Sequence, residues 1–192
     1  MASRYALSAL VPMSVLLVLA ACSSVPPAPH PLLDEKTGVT MTVVASPMLF
    51  ARVRNVASAS GHDYVTLVTL EDDNAGKYTE LLLMYRWSVS SPPPPADSTG
   101  RLLIQADGHA IEMQPLERIP VDLSRSKELF MPQNVDAVIH AYTIDFQTMR
   151  LLASSHDLTV SLPDEAADAT FWLWRDGRPA LAQLVQQLTG SP

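Results

Sequence analysis

Residues 64–89 read YVTLVTLEDDNAGKYTELLLMYRWSV. Tyr64 to Leu70 is rich in valine, threonine and leucine and carries no breaker, which is the composition of a strand. The polar segment Glu71-Asp72-Asp73-Asn74-Ala75-Gly76 follows, and Tyr78 to Val89 returns with a second apolar run. A short connection made of turn formers between two such runs predicts an antiparallel hairpin. Leu81-Leu82-Leu83-Met84 shows no alternation, so it is either a strand covered on both faces or a helix. Tyr85 and Trp87 then alternate with Arg86 and Ser88, which favours the strand.

Working outward, the same grammar recurs on both sides of this hairpin. Val39 to Val44 is β-branched and bounded by Gly38 and Pro47, and Met48 to Val53 continues it after a kink. Downstream, Ser90 to Asp97 contains four consecutive prolines and reads as an exposed connector, because proline cannot serve a central strand. Arg101 to Ala106 and His109 to Met113 flank Asp107-Gly108, a pair that supplies the positive φ angles of a two-residue hairpin turn. Asp122 to Glu128 reads as an irregular connection, with a further element starting near Phe130 and Met131.

The last third mixes the two periods. Ala137 to Ile144 is predicted as a strand. Asp145 is placed to cap a short helix over Phe146 to Ser155, with Phe146, Met149 and Leu152 on one stripe. Leu158 to Leu162 and Thr170 to Trp174 are strands, and Asp176-Gly177 turns the chain. Pro179 then opens a helix where its missing N–H costs little, and Leu181, Leu184, Val185 and Leu188 follow helical spacing. Gly190 is the expected stop. The expected fold is therefore α+β: an antiparallel β-meander sheet with a short helix and an amphipathic C-terminal helix. An all-β sandwich with one terminal helix is the alternative. On strand Thr170–Trp174, Trp172 and Trp174 share a side, with Phe171 opposite. The expectation is that the tryptophans pack beneath the C-terminal helix; the other reading is a sugar- or protein-binding face.

The N-terminus carries a different signal. Arg4 precedes an apolar run from Ala6 to Ala20, and the run closes on Leu19-Ala20-Ala21-Cys22. Cys22 is the only cysteine of the chain. This segment resembles the lipobox signal of bacterial lipoproteins. The resemblance implies that residues 1–21 are a signal peptide. It also implies that the Cys22 thiol receives a glyceride and the freed amino terminus a further acyl chain such as palmitate. A retained transmembrane anchor is disfavoured because Pro12 interrupts a run shorter than the roughly 20 residues a span needs. Ordinary cleavage would leave a lone thiol in an oxidising compartment. Ser23 follows the cysteine, and the absence of aspartate there implies the outer membrane rather than inner-membrane retention. Residues 22–37 hold Pro26, Pro27, Pro29 and Pro31 and read as a lipidated, proline-rich tether. Residues 38–192 are expected to form a single globular periplasmic domain.

Without residues 1–21 the chain has 12 basic and 20 acidic side chains, a formal charge of −8. That balance excludes nucleic acid as a partner and a polybasic grip on anionic lipid. The five histidines form no ligand-spaced pair with each other or with a cysteine, so no metal is expected. His62-Asp63 and His156-Asp157 read as solvated turn pairs. Asp72 to Gly76 lacks the alternating ligands and closing glutamate of a calcium loop. No nucleophile elbow or phosphate-cradling glycine loop occurs, so neither catalytic residues nor a cofactor are expected.

The expected function is a non-catalytic accessory or interaction lipoprotein of the bacterial envelope. Its bilayer link would be acylated Cys22, on the periplasmic face of the outer membrane, with an unidentified envelope protein as partner. The alternative is a periplasmic small-ligand carrier or an envelope enzyme with a site of scattered residues. A deep apolar pocket would favour the alternative, and a flat exposed apolar patch the first reading. Cys22→Ser should abolish incorporation of a tagged fatty acid in growing cells, because a hydroxyl replaces the thiolate nucleophile. Equal labelling of both forms would remove the lipoprotein reading.

Overall fold

The computed structural model describes residues 28–33, 38–56, 59–89, 100–119, 130, 135–163 and 170–190. The chain is mostly antiparallel β-sheet with two helices. The strands are β1 (His30–Leu33), β2 (Thr40–Val43), β3 (Met48–Val56), β4 (Ala59–Asn74), β5 (Lys77–Ser88), β6 (Leu102–Ala106), β7 (His109–Met113), β8 (Ala137–Thr143), β9 (Leu158–Ser161) and β10 (Thr170–Arg175). Helix α1 spans Phe146–Ser154 and α2 spans Arg178–Gly190.

The β4–β5 hairpin forms as expected but is tighter. Both strands run up to a two-residue turn at Ala75 and Gly76, whose φ angles are 53° and 85°. Asp73 Oδ1 accepts the Gly76 N–H at 2.7 Å and closes the turn from the side. The Asp107-Gly108 turn behaves alike, with φ of 48° and 82°. Leu81 to Trp87 are seven consecutive buried residues, so β5 is covered on both faces.

Successive neighbours run β8-β5-β4-β3-β10-β9-β6-β7, every pair antiparallel. Strand β2 sits on the same edge of β4 as β3, offset by a break at residues 44–47, and β1 adds to β2. The kink predicted at Pro47 is this break. The sheet departs from the expected meander. Sequential strands pair in β1-β2, β3-β4-β5, β6-β7 and β9-β10, but these units do not follow one another along the sheet: the β9-β10 pair inserts between β6 and β3. The physical gain is closure. The path curls until its ends meet: the Leu116 N–H, just past β7, donates to Ala141 O of β8 at 2.8 Å. Tyr142 Oη on β8 donates to Gly100 O at 2.6 Å. Curling in this way leaves few unpaired strand edges. His30–Leu33, read from its prolines as tether, is the edge strand β1; Pro31 is tolerated there because an edge position has a free side for the missing donor.

Both helices attach at one end of the sheet. α1 links the end of β8 to the start of β9, and α2 follows β10. Asp145 caps α1 as predicted, accepting the Thr148 N–H at 2.8 Å, and this bond holds its carboxyl below the usual range. Met149 and Leu152 are buried. A polar knot ties this end together. Asp107 Oδ1 accepts the N–H groups of His156 and Asp157 at 2.9 and 2.8 Å. Arg178 donates to the carbonyls of Ser155 and His156 and pairs with Asp176. Gly177 is required at the start of α2, because a Cβ there would lie 2.5 Å from the Pro47 carbonyl carbon and 2.6 Å from the Met48 nitrogen.

Ala180, Leu181 and Leu184 of α2 are buried, and Val185 and Leu188 pack partly buried on the same core. The helix therefore closes the core rather than trailing from it. Leu184, fully buried, should cost about 2–5 kcal/mol when replaced by alanine, the range for deleting a packed leucine. Urea melts of the two forms measure this, and equal midpoints would mean a detachable helix. The predicted elements near Asp122–Glu128 and Met131, and the Ser90–Asp97 connector, lie outside the described residues.

Candidate functional site

The register of the sheet assembles a surface from four strands. Trp172 of β10 lies opposite Ala51 of β3, Ala51 opposite Tyr64 of β4, and Tyr64 opposite Trp87 of β5. Residues two apart in a strand share a face, so His62 and Val53, which are paired, extend the same surface. The rings touch in series. Tyr64 stacks on Trp87 at 4.2 Å between centroids, His62 lies 6.0 Å from Tyr64, and Trp174 lies 5.7 Å from His62. The Trp87 indole N–H donates to Thr66 Oγ1 at 3.0 Å, which locks the inner end of the row.

The outer end is open. Trp172 and Trp174 are 65% and 64% exposed, and Val53 is 62% exposed. The expectation that this tryptophan pair packs under the C-terminal helix is therefore overturned. Only one face of β10 meets the core, and it is the face of Phe171, which is fully buried. The ladder to β3 shifts between Leu173 and Arg175, so Trp174 sits in a bulge that re-aims it beside His62.

The opposite face of these strands carries buried polar groups. Asp63 accepts from Arg52 Nε and Nη2 at 3.1 and 3.0 Å and from the Ser88 hydroxyl. The Arg52 guanidinium also lies 4.7 Å over the Phe171 ring. His62-Asp63 was expected as a solvated turn pair. It lies in mid-strand instead, with Asp63 buried on one face and His62 on the other. Chemically the Asp63 cluster is a brace. The carboxylate is paired with a guanidinium and accepts the Ser88 hydroxyl in a hydrogen bond, so it ties three strands together. Deeper in, burial pushes the Tyr142 hydroxyl pKa far up and, with the nearby Arg86 charge, pushes His140 down, so both stay neutral at pH 7.

The remaining histidines are scattered. His156 is exposed, 3.9 Å from Asp107, and His109 Nδ1 faces Ala106 O at 3.3 Å. Among the described residues no three His, Cys, Asp or Glu side chains gather in a way that could hold a metal. The concavities described are open grooves: one between β7 and the end of β8, lined by Ile111, Met113, Thr143 and Thr148, and one between α1 and α2, lined by Leu151 and Val185. Cys22 lies outside the described residues. At the tip of the β4–β5 hairpin, Glu71, Asp72, Asp73 and Glu80 concentrate negative charge; burial first, then their mutual repulsion, raises the pKa of Glu71 and Asp72. No helix among the described residues is long and apolar enough to cross a membrane. No family model matches the chain, and no curated protein or solved structure is significantly similar to it.

The two faces of β10 should respond differently to truncation. Phe171→Ala should cost about 3–5 kcal/mol, as for a core aromatic. Trp174→Ala should stay within roughly 0.5 kcal/mol, as for most surface changes. Paired urea melts check this, and comparable losses in both variants would mean that the tryptophan face is packed rather than presented.

Proposed function

We propose that this chain is a non-catalytic accessory lipoprotein of the bacterial envelope, held by acylated Cys22 on the periplasmic face of the outer membrane and acting by surface contact. The observation that carries the reading is the open aromatic face formed by Trp172, Trp174, His62 and Val53. Large apolar side chains left together on a rigid sheet mark a contact surface more often than an accident of packing. The lipobox-like Leu19-Ala20-Ala21-Cys22 supplies the address, and β1 begins only eight residues after Cys22. The buried polar groups support the same reading, since the Asp63 cluster is braced rather than poised for proton transfer.

Native mass spectrometry of the detergent-extracted full chain tests the proposal. The expected mass is the chain from Cys22 onward plus its acyl groups, with outer-membrane fractions as the source. A stoichiometric small molecule retained by the protein would favour the carrier reading. Recovery of the acylated protein from the inner membrane would contradict its placement.

A further inference from the structure

The course of the chain bounds what the aromatic face can meet. Strands β1 and β10 flank the broken strand β2/β3 on the side away from β4, and both run parallel to β4. The end of β10 therefore points toward the start of β1. His30 pairs with Val43, which lies opposite Leu70, whereas Arg175 pairs with Leu49, which lies opposite Thr66. Four residues of β4 separate these levels, roughly 13 Å along the sheet at strand rise. Trp172 lies at the level of Tyr64, roughly 20 Å from that of His30 by the same measure. Eight residues from Cys22 to His30 span at most about 29 Å even when fully extended. A leash of that length is long enough to let the two indoles reach the surface that holds Cys22.

We infer that the Trp172–Trp174 face rests on the headgroup region of the same bilayer that holds Cys22. The inference depends on the acyl anchor proposed above. Indole suits this place: its ring is apolar and its N–H still finds a polar partner, which is why tryptophan gathers at membrane–water interfaces. Val53 adds an exposed aliphatic contact beside the rings. Charge plays little part. Arg175 is the exposed cation next to Trp174 on β10, while the acidic hairpin tip lies beside β1, seven or more residues along β4 from the level of Trp172. Contact should therefore form as well on zwitterionic lipid as on anionic lipid, and should resist salt. A tether this short makes the second contact effectively intramolecular, so a patch too weak to bind vesicles alone still seats the domain. The consequence is a fixed orientation: the domain lies against the bilayer with one face committed, rather than swinging on its tether.

The test uses the mature acylated chain reconstituted into phosphatidylcholine vesicles, with or without bromine on the acyl chains. The protein has three tryptophans, and Trp87 is buried. Brominated lipid should depress the emission, and the double variant Trp172→Phe/Trp174→Phe, which reports Trp87 alone, should lose that response. Added phosphatidylglycerol should leave the quenching unchanged. Emission blind to bromine but quenched by aqueous acrylamide would overturn the inference, because the face would then point into the periplasm. Emission blind to both would overturn it too, in favour of a protein covering the face. An intact mass showing an unacylated Cys22 would overturn the inference together with the anchor reading, whereas acylated protein without bromine quenching would remove the inference alone.

Discussion

Seven consecutive side chains, Leu81 to Trp87, are withdrawn from water, and a strand manages that only if both of its faces are covered. The sheet around β5 answers this constraint by curling. β4 and β8 flank it, the path continues through β3, β10, β9, β6 and β7, and the far edge returns to β8 through the Leu116–Ala141 hydrogen bond. A core that includes the buried faces of α1 and α2 fills the assembly. Residues on the outer surface of the curl then have two fates. Near the middle of β5 they are covered, and on β10 they are left in water. The tryptophan face is the second case.

Much of this was legible in the chain itself. The Ala75-Gly76 turn sets the β4–β5 register, and that register alone places Tyr64 against Trp87. Asp107-Gly108 sets β6 against β7 in the same way. The α1 cap at Asp145 and the α2 stripe at Leu181 and Leu184 follow from local spacing and short-range hydrogen bonds. Such features depend on neighbours within a few residues, which a sequence displays directly.

What the sequence concealed depends on distant pairings. Nothing local tells that β10 inserts beside β3, or that β9 reaches β6. The fate of Trp172 and Trp174 turned on that insertion. Alternation placed them together, but the amphipathic helix that follows suggested a cover which α2 does not provide. His62 joins the face only through the β3–β4 register and the bulge at Trp174. Proline content likewise concealed β1, because an edge strand accepts Pro31 where a central strand would not.

On the reading proposed here, the domain is seated close to a membrane by a short leash and an aromatic surface. Spin labels at two exposed positions measure that seating most directly. With the Cys22 thiol capped by the acylation proposed above, Val53→Cys and Tyr78→Cys, at sites 62% and 59% exposed, each offer a single reactive thiol. Collisional relaxation by oxygen and by a water-soluble nickel complex then reads depth in vesicles. The predicted result is a label at position 53 at headgroup depth and a label at position 78, beside the acidic hairpin tip, in water. Equal aqueous accessibility at both sites would contradict the account.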